Sequence, residues 1–100
     1  MVDISYAGGT PLPHGWALVQ PLKLTVQEDS PGWYVSSNDA LDLYGEGTTE
    51  QAAAADYLSR LVADYRFWER EQSDGAINAP AQLAALKECV CPPLREAPHG

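Results

Sequence analysis

The chain has 100 residues, 45% of them hydrophobic, with three Trp, five Tyr, a formal net charge of −8 and a pI near 4.4. That is length for one domain with a modest core, an apolar content too high for a disordered segment, and an acidity that makes counterion release on nucleic acid unfavourable. No apolar run reaches the roughly 20 residues of a membrane span, and no basic segment leads into an apolar one at the N-terminus, so the sequence predicts a cytoplasmic protein that contacts neither membrane nor nucleic acid directly.

Residues 1–21 are punctuated by Gly8-Gly9, Pro11, Pro13, Gly15 and Pro21, which predicts an irregular arm pinned by Tyr6 and Trp16. A single domain is expected over 22–91. Leu22, Leu24 and Val26 alternate with Lys23, Thr25 and Gln27, the period of a half-buried strand. Glu28 to Gly32 supplies turn chemistry, after which Trp33 and Val35 are read as facing inward, with Tyr34 and Ser36 outward. Ser37-Asn38-Asp39 turns the chain again, and Leu41 and Leu43 then face in, with Asp42 and Tyr44 out.

Gly45-Glu46-Gly47-Thr48 opens into a helix predicted from Thr49 to about Glu71. Thr48 is the expected N-cap, with Gln51 closing a capping box. Ala54, Leu58, Leu61, Val62, Tyr65 and Trp68 recur at three- and four-residue steps and form the stripe that meets the sheet, while the small residues from Ala52 to Ala55 allow close approach to it. Ser73-Asp74-Gly75 ends the helix. Asn78 is read as the cap of a second helix starting near Ala79-Pro80, with Leu83, Leu86 and Val90 as its apolar stripe, stopped by Pro92-Pro93. Residues 92–100 are expected to be a flexible tail. The fold class is α+β: a three- to four-stranded antiparallel sheet with one long helix on one face and a shorter C-terminal helix.

Function is signalled by charge. Between Leu24 and Ser59 there are seven carboxylates and no Lys, Arg or His. Such a stretch is either a solvated surface that keeps a small domain in solution or the footprint of a basic partner. In the second case Asp42, Glu46 and Tyr44 are the candidate contacts, with Tyr34 joining them across the sheet, because tyrosine suits interfaces through its rigid amphipathic ring. The alternative is that the second helix or the N-terminal arm covers both tyrosines.

The order of strand, hairpin, strand, glycine-rich turn and helix, with Trp33-Tyr34-Val35 followed by Gly45-Glu46-Gly47-Thr48-Thr49-Glu50-Gln51-Ala52, resembles the HicB-like antitoxin domain over about residues 22–72. The resemblance implies a partial double-stranded-RNA-binding topology and a partner that is a small basic ribonuclease toxin, neutralised by direct binding. Many members of that family also carry a C-terminal DNA-binding module. After Gly75 this chain has Lys87 and Arg95 as its only basic side chains apart from His99, too few for such a module, so autoregulation through DNA is not expected.

Catalysis and cofactors find no support. Cys89 and Cys91 are one residue apart, too close for an unstrained disulfide and unlike the wider spacing of paired zinc cysteines. They lie beside Glu88 and Pro92-Pro93, where nothing would activate a thiolate, and Gly45-Glu46-Gly47 lacks the remainder of a phosphate loop. The reading is therefore no enzyme, no metal and no cofactor. The competing function is a homo-oligomeric structural or accessory protein in which a sheet edge and the Phe67, Trp68 end of the long helix bury themselves in a second copy.

Overall fold

The computed structural model describes residues 1–73 and 81–93, apart from the side chains of Asp42, Gln72, Ser73, Ala81 and Gln82. The α+β class holds. Four antiparallel strands, β1 (Val2–Tyr6), β3 (Leu22–Ser30), β4 (Trp33–Asn38) and β5 (Leu41–Gly47), form a sheet in the order β1-β3-β4-β5. A second, two-stranded sheet pairs β2 (Ala17–Leu18) with β6 (Val90–Cys91). Helix α1 (Glu50–Ser73) lies across one face of the larger sheet, and the shorter α2 (Ala81–Cys89) packs beside it. No helix among the described residues is long and apolar enough to cross a membrane.

The N-terminal segment departs from expectation. Val2, Ile4 and Tyr6 alternate with Asp3 and Ser5, and β1 pairs along β3 from Val2 opposite Val26 to Tyr6 opposite Leu22. Its glycines and prolines begin only after the strand ends, so they punctuate the connection and leave the strand intact. An edge strand is also where so short and weakly apolar a run is tolerated. Beyond it, Leu12, Trp16 and Leu18 are buried in the main core, and Trp16 meets Tyr65 of α1 edge-to-face at 4.9 Å. The Val19 N–H donates to the Cys89 carbonyl at 2.7 Å, which ties this segment to the end of α2. Residues 1–21 are therefore part of the domain rather than an irregular arm.

β3 carries the predicted alternation, with Leu22, Leu24 and Val26 buried on the face that α1 covers. The strand runs on to Ser30, so the turn is only Pro31-Gly32, with Gly32 at the positive φ of 75° that a second turn position often requires. At the next corner, Asn38 Oδ1 accepts from the Ala40 N–H at 2.7 Å, closing a local Asx turn.

β4 has the opposite sidedness to that predicted. Ser36 is fully buried and its hydroxyl donates to the Ala53 carbonyl of α1 at 2.7 Å, so Ser36 and Tyr34 look toward the helix. Trp33 and Val35 look away from it. The reason is steric. Ser36 pairs with Gly45 of β5, and a Cβ at Gly45 would overlap the Ala53 carbonyl oxygen and the Tyr57 N–H. The backbone of α1 descends so closely here that only small residues fit beneath it, and hydrophobicity does not choose the inward residue.

Helix α1 is capped by Thr49 rather than Thr48: its Oγ1 accepts from the Ala52 N–H at 2.9 Å. This moves Ala52 into the third helical position and removes Gln51 from the capping box, while a cap of this kind still contributes about 1 kcal/mol. The buried stripe is Ala53, Ala54, Tyr57, Leu61, Val62 and Tyr65, with Leu58 and Trp68 only partly covered. Leu83 and Leu86 are buried on α2 as expected, whereas Val90, read as the end of that helical stripe, is buried in β6 opposite Leu18. The turn at Asp74-Gly75, the cap at Asn78 and the tail from residue 94 onward lie outside the described residues.

Candidate protein-binding face

Because both helices and the β2–β6 pair lie on one side of the sheet, the other side meets solvent. Alternation places Trp33, Val35 and Ser37 of β4 on that outer side, opposite Glu46 and Tyr44 of β5. Tyr44 is 56% exposed and Trp33 37%, values large for aromatics on a small domain. The inward sidedness expected for Trp33 had hidden it from the site. The one available signal was Gly45, whose lack of a side chain marks the closest approach of the helix and hence the parity of its neighbours.

Glu46 sits at the centre of a small network. Trp33 Nε1 donates to Glu46 Oε1 at 3.2 Å, which holds the indole against β5. Glu46 also lies 3.8 Å from Arg60 Nη2, and its backbone N–H donates to Asp56 Oδ2 at 2.8 Å. Arg60 Nε in turn donates to Asp56 Oδ2 at 2.8 Å across one turn of α1. These pairs are half-exposed and each contributes well under about 1 kcal/mol, so their effect is on orientation more than on stability. The Asp56 carboxylate also occupies a backbone donor that faces away from β4, which blunts the free edge of β5 against pairing with another strand.

The structure brings together only part of the predicted site. Tyr44 and Glu46 share the outer face, whereas Tyr34 is half-buried on the helix side and does not join Tyr44. The side chain of Asp42 lies outside the described residues. The cation-free stretch is not one continuous surface: Asp29 lies at the first hairpin, Asp39 at the second, and Glu50 and Asp56 on α1, while Glu28 accepts from the Gly32 N–H at 3.1 Å. On the far side of the outer face Lys23 lies 3.9 Å from Asp3, both exposed. The result is an aromatic patch with an acidic margin.

Other chemistry is sparse. Cys89 and Cys91 are both free thiols, His14 is exposed on the 3-10 turn at Pro13–Gly15, and His99 lies outside the described residues. Among the described residues no group of three His, Cys, Asp or Glu side chains is placed to hold a metal ion. The Tyr57 hydroxyl is buried without a hydrogen-bond partner among the described residues, and burial, with Cys89 and Asp64 nearby, pushes its pKa far above the usual tyrosine range. Burial likewise raises that of Tyr65. Comparison with protein-family models, with curated proteins and with solved structures finds no match to this chain.

Proposed function

We propose that this chain is a non-catalytic, cytoplasmic protein-binding module that docks a small basic protein on the open face of its sheet. The observation that carries this reading is the outer face itself, where Trp33 and Tyr44 stand exposed beside Glu46 in a chain of net charge −8. Exposed aromatics supply the apolar anchor of an interface, and the surrounding acidity attracts a basic partner and sets the rate at which it arrives. The resemblance of residues 22–72 to HicB-like antitoxins makes a small basic ribonuclease toxin the partner of choice. Neutralisation would then be steric, by direct binding, with no cofactor and no contact with DNA.

Co-expression with the product of the neighbouring gene tests the assignment. Wild-type chain is expected to co-purify with a basic partner, and the paired changes Trp33→Ala and Tyr44→Ala are expected to abolish recovery while leaving the circular dichroism spectrum unchanged. Undiminished recovery with both aromatics removed would contradict the outer face as the binding surface.

A further inference from the structure

Helix α1 presents a second surface, on the opposite layer from the outer sheet face. Ser59, Ala63, Phe67 and Arg70 are exposed and Asp56 is partly so. At 100° per residue these five fall within roughly 40° of Ala63 around the helix. Phe67 is 51% exposed, an uncommon position for phenylalanine. Beside the stripe, Leu43, Arg60, Ala63, Asp64 and Phe67 line a shallow groove of about 260 Å³ between α1 and β5. Arg66 and Arg70 flank Phe67 and make no ion pair among the described residues, although carboxylates outnumber Lys and Arg by 14 to 6 in the chain.

We infer that this stripe is the interface of a homodimer, in which α1 of two copies pack antiparallel about a two-fold axis beside Ala63. The charge order along the stripe selects that occupant. Asp56 lies seven residues before Ala63 and Arg70 seven after it, about 10.5 Å along the axis in each direction. An antiparallel two-fold places Asp56 of each copy opposite Arg70 of the other, so the pair forms twice. The same operation carries each Phe67 to Arg60 of the second copy at the mouth of the groove, where an aromatic face and a guanidinium attract. Ala63 and Ser59 are small enough to let the helices approach. An acidic peptide would satisfy Arg66 and Arg70 but would meet Asp56 at the other end of the stripe, whereas a second copy matches both signs.

Such an isologous contact closes on itself. It leaves both outer sheet faces open, so it stands or falls independently of the function proposed above.

Sedimentation equilibrium of the full chain from about 1 to 100 µM, a range that resolves micromolar dissociation constants, tests the inference. Wild type is expected to be a dimer. Ala63→Glu, which sets two carboxylates against each other at the axis, and Arg70→Asp are each expected to raise the dissociation constant by about tenfold or more. Combining Arg70→Asp with Asp56→Arg is expected to restore the dimer. Because Asp56 also holds the Glu46 N–H, circular dichroism checks that the double variant is folded, and Ala63→Glu alone still decides if it is not. A strict monomer throughout the range would overturn the inference and leave the stripe to a different partner. A dimer indifferent to both Ala63→Glu and Arg70→Asp would also overturn it.

Discussion

Replacing Gly45 with Ala is the most exacting perturbation of the contact between sheet and helix. The backbone conformation of Gly45 is one any residue can adopt, so the effect is purely of packing. A methyl group there would run into the Ala53 carbonyl oxygen, the Tyr57 N–H and the Ser36 hydroxyl, two of them backbone atoms of α1 that cannot swing aside. Forcing the helix away costs about 1 to 3 kcal/mol for overpacking. Straining the buried Ser36 to Ala53 hydrogen bond adds about 1 kcal/mol, so the expected destabilisation is about 2 to 4 kcal/mol, a large part of the total for a domain of this size. Equilibrium urea unfolding followed by circular dichroism measures it as a fall in midpoint at constant slope. Gly32→Ala is the control: nothing lies within 4 Å of its new Cβ, and only its positive φ is penalised, by about 1 to 2 kcal/mol. A loss at Gly45 smaller than that at Gly32 would refute the close approach of α1 to β5 and with it the sidedness of β4.

The remaining expectations concern the core and its titration. Leu61→Ala, at a fully buried position of α1, should lose about 2 to 5 kcal/mol, whereas exposed Ser59→Ala should change stability by less than about 0.5 kcal/mol; equal small losses in a denaturant titration would contradict the packed stripe. Tyr57→Phe should be neutral or stabilising, because the hydroxyl removed has no partner among the described residues. The raised pKa of Tyr57 also sets a sign: its neutral form is the one the fold favours, so its contribution is intact below the unfolded-state pKa of about 10 and is lost as pH rises above it. Thermal unfolding between about pH 9 and 12 should therefore show a shallower alkaline decline in the phenylalanine variant. Identical declines would mean that Tyr57 does not drive the alkaline loss.

What was legible in the sequence followed strict periodicity. β3 alternates cleanly over Leu22, Leu24 and Val26, and α1 carries apolar residues at helical steps over a long stretch, so both elements and the α+β class were readable. β1 was obscured because Val2 to Tyr6 is a short edge strand beside a cluster of Gly and Pro, and composition averaged over the segment concealed it. β4 runs against its hydropathy pattern because its inward residue is Ser36, selected by space under a descending helix and satisfied by a hydrogen bond to Ala53. Hydropathy cannot register that choice. The candidate site inherited the error: Tyr44 and Glu46, on a strand whose Leu41 and Leu43 fixed its parity, were placed on the correct face, whereas Tyr34 and Trp33 exchanged sides. The Trp33–Glu46–Arg60–Asp56 network joins two strands and a helix, and no local pattern could have announced it.

Association kinetics test the proposed binding function most directly. The purified chain is mixed with the basic product of the neighbouring gene at two salt concentrations, alongside a variant carrying Asp42→Lys and Glu46→Lys. The account predicts a fast association that slows as salt rises, since steering between opposite charges is screened beyond about 8 to 10 Å at physiological ionic strength. It further predicts that the charge-reversed variant associates more slowly and with a weaker salt dependence while remaining folded. An association rate indifferent to both salt and charge reversal, or tight binding of duplex DNA by the chain alone, would contradict it.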